Sequence, residues 1–113
     1  MGGTAWEERH VTDAHNLGDI SGAVTIGLDD GAVQLGRVVE NVTFTLPAVE
    51  AGLSEFLTLI LDNDESGGRA ITVSGAQWMH GAAPEFDDAP NARNVLVCRG
   101  VGLVWICDGG PAG

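Results

Sequence analysis

The chain has 113 residues, the length of a single domain, and 44% of them are hydrophobic, which excludes a disordered chain. Sixteen acidic residues and five arginines, with no lysine, give a formal net charge of −11. A charge of this sign and size repels phosphate groups, so neither a nucleic acid nor an anionic membrane surface is an expected partner.

The first part of the chain is polar and has no regular hydrophobic period, so residues 1–19 are expected to form an N-terminal arm. No signal peptide and no membrane-spanning helix is expected, because long apolar runs are missing. His10, Asp13 and His15 could in principle bind a metal. A strand would place the two histidines on opposite faces, so we expect no metal site here. Trp6 has no local core to join, and contact with another subunit is its expected role.

From residue 20 onward, short apolar or alternating segments are separated by turn residues. The pattern predicts an all-β fold, a single-domain β-sandwich or small barrel of about six to eight antiparallel strands over residues 20–109, with a tail at 110–113. Residues 56–61 are the most apolar run and predict a central, buried strand, whereas residues 48–55 predict at most one helical turn. The predicted strands are 23–28, 33–39, 41–46, 56–61, 70–74, 94–98 and 103–107.

The acidic segment after the central strand begins like a calcium-binding loop, with Asp62, Asp64, Ser66 and Gly67 in the required order. Val73 stands where such a loop needs a glutamate. We therefore interpret the segment as a solvated turn, with a weak calcium site as the alternative. No serine lies in a nucleophile-elbow motif, and the sequence predicts no catalytic residue, no cofactor and no enzyme activity.

The two cysteines lie on the two arms of the predicted C-terminal hairpin, so the position of the turn decides whether they can meet. A turn centred on Val101 places Cys98 and Cys107 on opposite faces of the sheet. A turn between Val101 and Gly102 leaves them diagonal to each other and too far apart for an easy bridge. A turn at Gly102-Leu103 would place them directly opposite. We expect two free, buried thiols.

The tryptophans have different expected roles. Trp105 is in the middle of a predicted strand and is expected in the core. Trp78 lies at a strand end, beside Met79 and His80. It can either close one end of the core or form an exposed platform for a sugar ring or a partner protein.

Three signals follow one another in the second half of the chain: a glycine-rich turn before an apolar strand, a Trp-Gly-Pro loop, and a hairpin with a Gly-rich turn and a tryptophan. They are Gly67-Gly68-Arg69, then Trp78, Gly81 and Pro84, then Trp105. Residues 19–28 and 41–47 fit the same pattern of strands and turns. Over residues 17–109 this order resembles the small all-β structural domains of tailed-bacteriophage virions, of the head-decoration or tail-fibre type.

The resemblance implies a non-enzymatic virion protein, and a short domain with an arm favours a capsid decoration or cement protein on the outer head surface. Such a protein is assembled in the bacterial cytoplasm and lies on the virion surface. Its expected partner is the major capsid protein or another virion protein. It is also expected to form a homo-oligomer, with a trimer favoured. Acidity suits the outer face of a DNA-filled shell, although solubility alone also explains it. The alternatives are a tail-fibre or tail-tip domain that binds a host glycan and an unrelated lectin-like protein. The expected partner-binding residues are Trp6, Glu7, Arg9, His10, Val11, Trp78, Met79, His80 and Pro84.

Overall fold

The computed structural model describes residues 14–27, 31–49 and 54–112. All regular structure in these residues is β, and they include no helix that could cross a membrane. The predicted contact residues of the arm, from Trp6 to Val11, lie outside the described residues, whereas residues 15–19 belong to the first strand. The strands are β1 (His15–Thr25), β2 (Val33–Thr45), β3 (Ser54–Asn63), β4 (Ile71–Ser74), β5 (Ala76–Trp78), β6 (Arg93–Val101) and β7 (Val104–Pro111).

The strands form one mixed sheet in the order β1-β2-β3-β6-β7-β5, and β4 pairs with β2. The predicted all-β class and strand number are confirmed, and the sheet is compatible with a small sandwich or barrel. The expectation of antiparallel pairing throughout is wrong. β1, β3 and β4 run parallel to β2, and β5 runs parallel to β7. The pairs β3–β6 and β6–β7 are antiparallel.

The parallel pairing of β1 with β2 accompanies a bend in β1. Straight parallel strands need a connection of roughly a dozen residues or more, yet only residues 26–32 separate β1 from β2. The pairing of β1 with β2 shifts register twice, near Gly18 and Gly22, and both glycines have a positive φ (73° and 65°). Glycine adopts such angles more easily than any residue with a side chain, so these positions let the strand change direction.

The strand β2 is continuous where two separate strands were predicted. Its residues 33–38 pair with β3, and its residues 42–45 pair with β4. The chain between β3 and β4 therefore turns beside the middle of β2. The backbone N–H of Val42 donates to the carbonyl of Ala70 there, which continues the ladder. The chain thus coils over its first half: β2 lies alongside β1, and β3 and β4 lie alongside the two halves of β2.

The core lies on the inner face of the sheet. Alternation along β3 buries Leu57, Leu59 and Leu61 completely, so the strand is central as predicted, but it is buried on one face only, since Phe56 is 61% exposed. Trp105 is also in the core as predicted, with 3% of its surface exposed. Its indole N–H donates to the carbonyl of Pro47 at 2.6 Å, so the buried polar atom is satisfied.

The C-terminal hairpin turns at Gly102-Leu103, because Val101 pairs with Val104. Both turn residues have a positive φ (57° and 78°), as in the tight hairpin turn that matches strand twist. This register places Cys98 directly opposite Cys107, and the two form a disulfide with a Cα–Cα distance of 4.1 Å. The expectation of two free thiols is wrong, because the turn lies at the one position that brings the cysteines face to face.

Candidate interaction surface

The loop that starts like a calcium site is organised by the side chain of Asp64. One carboxylate oxygen accepts the backbone N–H groups of Gly67 at 2.9 Å and Ser66 at 3.2 Å. The other lies 3.4 Å from a guanidinium nitrogen of Arg69. The Gly67 hydrogen bond and, to a lesser degree, Arg69 hold the pKa of Asp64 below its usual value. The carboxylate therefore stabilises its own loop.

Asp62, the other carboxylate of that motif, forms a two-point ion pair across the sheet. Its oxygens accept from Arg93 Nε at 2.6 Å and from Arg93 Nη2 at 2.9 Å. This contact lowers the pKa of Asp62 and raises that of Arg93. The described residues hold no group of three or more His, Cys, Asp or Glu side chains suited to a metal ion. His10 and Asp13, two of the three arm side chains considered for a metal site and not expected to form one, lie outside the described residues.

The acidic loop 82–92 is fixed to the end of the sheet by two buried asparagines. Asn63 donates to the carbonyls of Asp87 at 2.7 Å and Ala89 at 3.0 Å. The side chain of Asn94 accepts the N–H of Asp87 at 2.8 Å and donates to its carbonyl at 2.9 Å. Sequence reasoning missed both anchors. The sequence did carry a signal for Asn63: it follows Leu57, Leu59 and Leu61 at the same spacing of two, which predicts that its side chain is buried on the inner face of β3.

The loop that begins at Trp78 combines a core anchor with an exposed tip. Trp78 is half-buried and packs against the core, so it anchors the start of the loop. Met79 is 65% exposed. The imidazole Nε2 of His80 lies 3.4 Å from a carboxylate oxygen of Asp108, and the side chain of His80 is also largely exposed. Pro84 is half-buried. Of the predicted contact residues in this loop, Met79 and His80 are the most accessible.

An apolar face on the outer side of β3, β6 and β7 was not foreseen from the sequence. Phe56, Val97 and Ile106 lie on these three neighbouring strands and are 61%, 52% and 41% exposed. Val101 and Leu103 continue the surface at the hairpin end, and Met79 borders it. We call these six residues the apolar face: Phe56, Met79, Val97, Val101, Leu103 and Ile106.

The centre of the apolar face is a groove crossed by Arg99. The guanidinium carbon of Arg99 lies 4.9 Å from the centre of the Phe56 ring, and its Nε donates to Ser54 Oγ at 3.3 Å. The groove has a volume of about 260 Å³ and is lined by Phe56, Met79, Val97, Cys98, Arg99 and Ile106. Its lining is almost entirely apolar, so it suits an apolar side chain from a partner.

No protein-family model matches the chain, and no curated protein or solved structure matches it significantly. The fold and the surface define an all-β protein with one mixed sheet and an exposed apolar face on β3, β6 and β7.

Proposed function

We propose that the chain is a non-enzymatic structural protein of a tailed-bacteriophage virion, and that it binds the outer head surface as a capsid decoration or cement protein. The observation that supports this most directly is the group of six exposed apolar side chains on adjoining strands and loops. Surfaces of this kind on soluble domains mark sites of contact with other proteins. The net charge of −11 also suits the outside of a shell filled with DNA.

The proposed mechanism is stabilisation by binding. A protein that binds the assembled shell but not its free subunits shifts the equilibrium toward the shell by mass action. Met79, His80 and Pro84 would contact the major capsid protein from a loop that Trp78 anchors in the core. The arm residues Trp6, Glu7, Arg9, His10 and Val11 would extend that contact, and the protein would act as a homo-oligomer, with a trimer favoured.

Immunogold electron microscopy with an antibody against the chain tests the location, using tailed particles released from bacteria that carry the gene. We expect labels over the heads. Labels at the tail tip would transfer the proposal to the tail, and particles that contain no chain by mass spectrometry would contradict a virion role.

Variants of the exposed loop test the contact residues. We expect the double substitution His80→Ala and Pro84→Ala, which leaves the apolar face intact, to weaken binding of the purified chain to heads about tenfold, the loss expected when central contact residues of an interface are truncated. The matched control is Thr72→Ala, an exposed residue of β4 away from this loop. If the loop variant and Thr72→Ala lost the same amount of affinity for heads, the result would contradict a role for the loop.

A host glycan is the alternative partner, in a tail-fibre or tail-tip domain. Trp78 keeps part of its surface exposed beside the His80–Asp108 pair, and an aromatic ring next to polar groups is a combination that sugars bind. The acidic loop 82–92 would form the other wall. Binding to a glycan array that is lost on His80→Ala would support this alternative over decoration.

A further inference from the structure

We infer that the apolar face is the surface through which the chain associates with a second copy of itself, face against face. The inference rests on the homo-oligomer of the proposed function and assigns it a two-fold dimer in place of the favoured trimer, because a face that packs against the same face of a second copy is fully covered by two copies.

The area of the face is close to what such an association requires. With full side-chain areas of about 150–200 Å², the exposed fractions of its six residues correspond to roughly 600 Å² of apolar surface. A typical stable interface buries about 800 Å² on each partner. The half-buried residues Ile60, Val95 and Val104 adjoin the face on the same side of their strands and would add to the contact.

The charges around the face favour another copy of the chain over a basic partner. The outward positions of β3, β6 and β7 carry two aspartates, Asp62 and Asp108, and two arginines, Arg93 and Arg99. Their formal sum is zero in a chain of net charge −11, so the excess acidity lies elsewhere. Two copies of this chain can therefore approach through this face with less repulsion than through a surface that carries the excess charge.

The face also supplies both halves of a complementary contact. Met79 and Leu103 are 65% and 68% exposed and stand at its borders, and the groove beside Arg99 is lined by apolar side chains. In a two-fold arrangement, each copy presents the same projections and the same groove to the other.

Leu103 shows a local conflict that such a contact resolves. It occupies a turn position with a φ of 78°, where glycine or asparagine is strongly preferred and a bulky side chain is strained. Its side chain also remains exposed to solvent in the isolated chain. Burial against a second copy gives that leucine an apolar environment.

Sedimentation velocity of the purified full chain at micromolar concentrations tests the inference. We expect the wild type to associate and Leu103→Gly to raise its dissociation constant about tenfold, because the substitution removes an apolar contact from each copy. The same substitution relieves the backbone strain, so the midpoint of thermal unfolding at low concentration should stay the same or rise. A second variant, Val97→Thr with Ile106→Thr, keeps the β-branched shape and should weaken association to a similar degree or more.

The matched control is Asn91→Gly. Asn91 is also a non-glycine residue at positive φ (60°), but it lies in the acidic loop outside the face. It should leave the dissociation constant unchanged. A wild-type chain that sediments as a monomer, or association that the face variants leave intact, would overturn the inference. In that case, immunogold labelling could still locate the chain on phage heads. Failure of this surface is therefore distinguishable from failure of the proposed function.

Discussion

At the scale of single residues, the charge of Asp64 ties loop stability to pH. The pKa of this carboxyl is lower in the folded chain than its ordinary value in the unfolded chain, so protonation favours the unfolded state. Its contribution is complete above that unfolded value and is lost as the pH falls through the lower, folded value. We expect Asp64→Asn to reduce the free energy of unfolding at neutral pH, because asparagine can still accept the Gly67 N–H but cannot neutralise Arg69. Urea unfolding from pH 7 down to about pH 3 measures this dependence.

The difference between wild type and Asp64→Asn should shrink toward the acid end of that series, since the wild-type carboxyl becomes neutral there. Glu65→Gln is the control, because it removes the same charge from an exposed neighbour in the same loop. Its unfolding curves should follow the wild type at every pH. A difference for Asp64→Asn that stays constant across the series would show that shape, not charge, is what the loop requires.

At the scale of elements, the β6–β7 hairpin depends on its disulfide. Cys98 and Cys107 are separated by nine positions and close a short loop within the core. Restricting an unfolded chain by a loop of that size stabilises a fold by about 2–3 kcal/mol. We expect the double substitution Cys98→Ala and Cys107→Ala to lower the free energy of unfolding by about that amount, as measured by urea denaturation. Reductant should destabilise the wild type and leave the double variant unchanged. Equal stability of the two proteins without reductant would contradict this role.

The elements themselves were partly predictable. Period-two alternation and apolar runs located β3, β6 and β7, because the spacing of apolar residues indicates which faces of a strand are buried. The parallel coil of β1 and β2 was not predictable by that route. It depends on bends at Gly18 and Gly22 and on the register between strands. The spacing of hydrophobic residues indicates neither of these features. The disulfide was missed because it requires a hairpin turn at Gly102-Leu103. That turn needs a positive φ at Leu103, and a leucine is not expected there.

The candidate surface was predictable only in its loop. Met79 and His80 were named as contact residues for the case in which the Trp78 loop forms an exposed platform, and their side chains are exposed, but the sequence left open whether the loop closes the core instead. The apolar face was hidden because β6 places Leu96 and Cys98 inward and Val97 outward. A strand that is apolar on both sides is typical of a strand buried on both sides. Sequence alone therefore could not show that one of its faces is uncovered in the single chain.

At the scale of the whole molecule, charge and apolar surface act against each other. Each copy carries a net charge of −11, which opposes association at low ionic strength, while the apolar face has no net formal charge of its own. The screening length is about 30 Å at 0.01 M salt and about 3 Å at 1 M. We therefore expect the dissociation constant for self-association to fall as sodium chloride is raised across that range, because repulsion is screened and burial of apolar surface is not weakened. Sedimentation velocity at each salt concentration provides the measurement.

The sign of the salt dependence separates two kinds of interface. If Arg99 bound a carboxylate of the second copy, added salt would weaken association, and Arg99→Gln would abolish that response. If the apolar face alone is buried, added salt strengthens association, and Arg99→Gln leaves the direction of the response unchanged. Arg99 already stacks on Phe56 and donates to Ser54 within its own chain, which favours the second result. Dissociation at high salt would therefore contradict an association carried by apolar burial, even if the same strands were in contact.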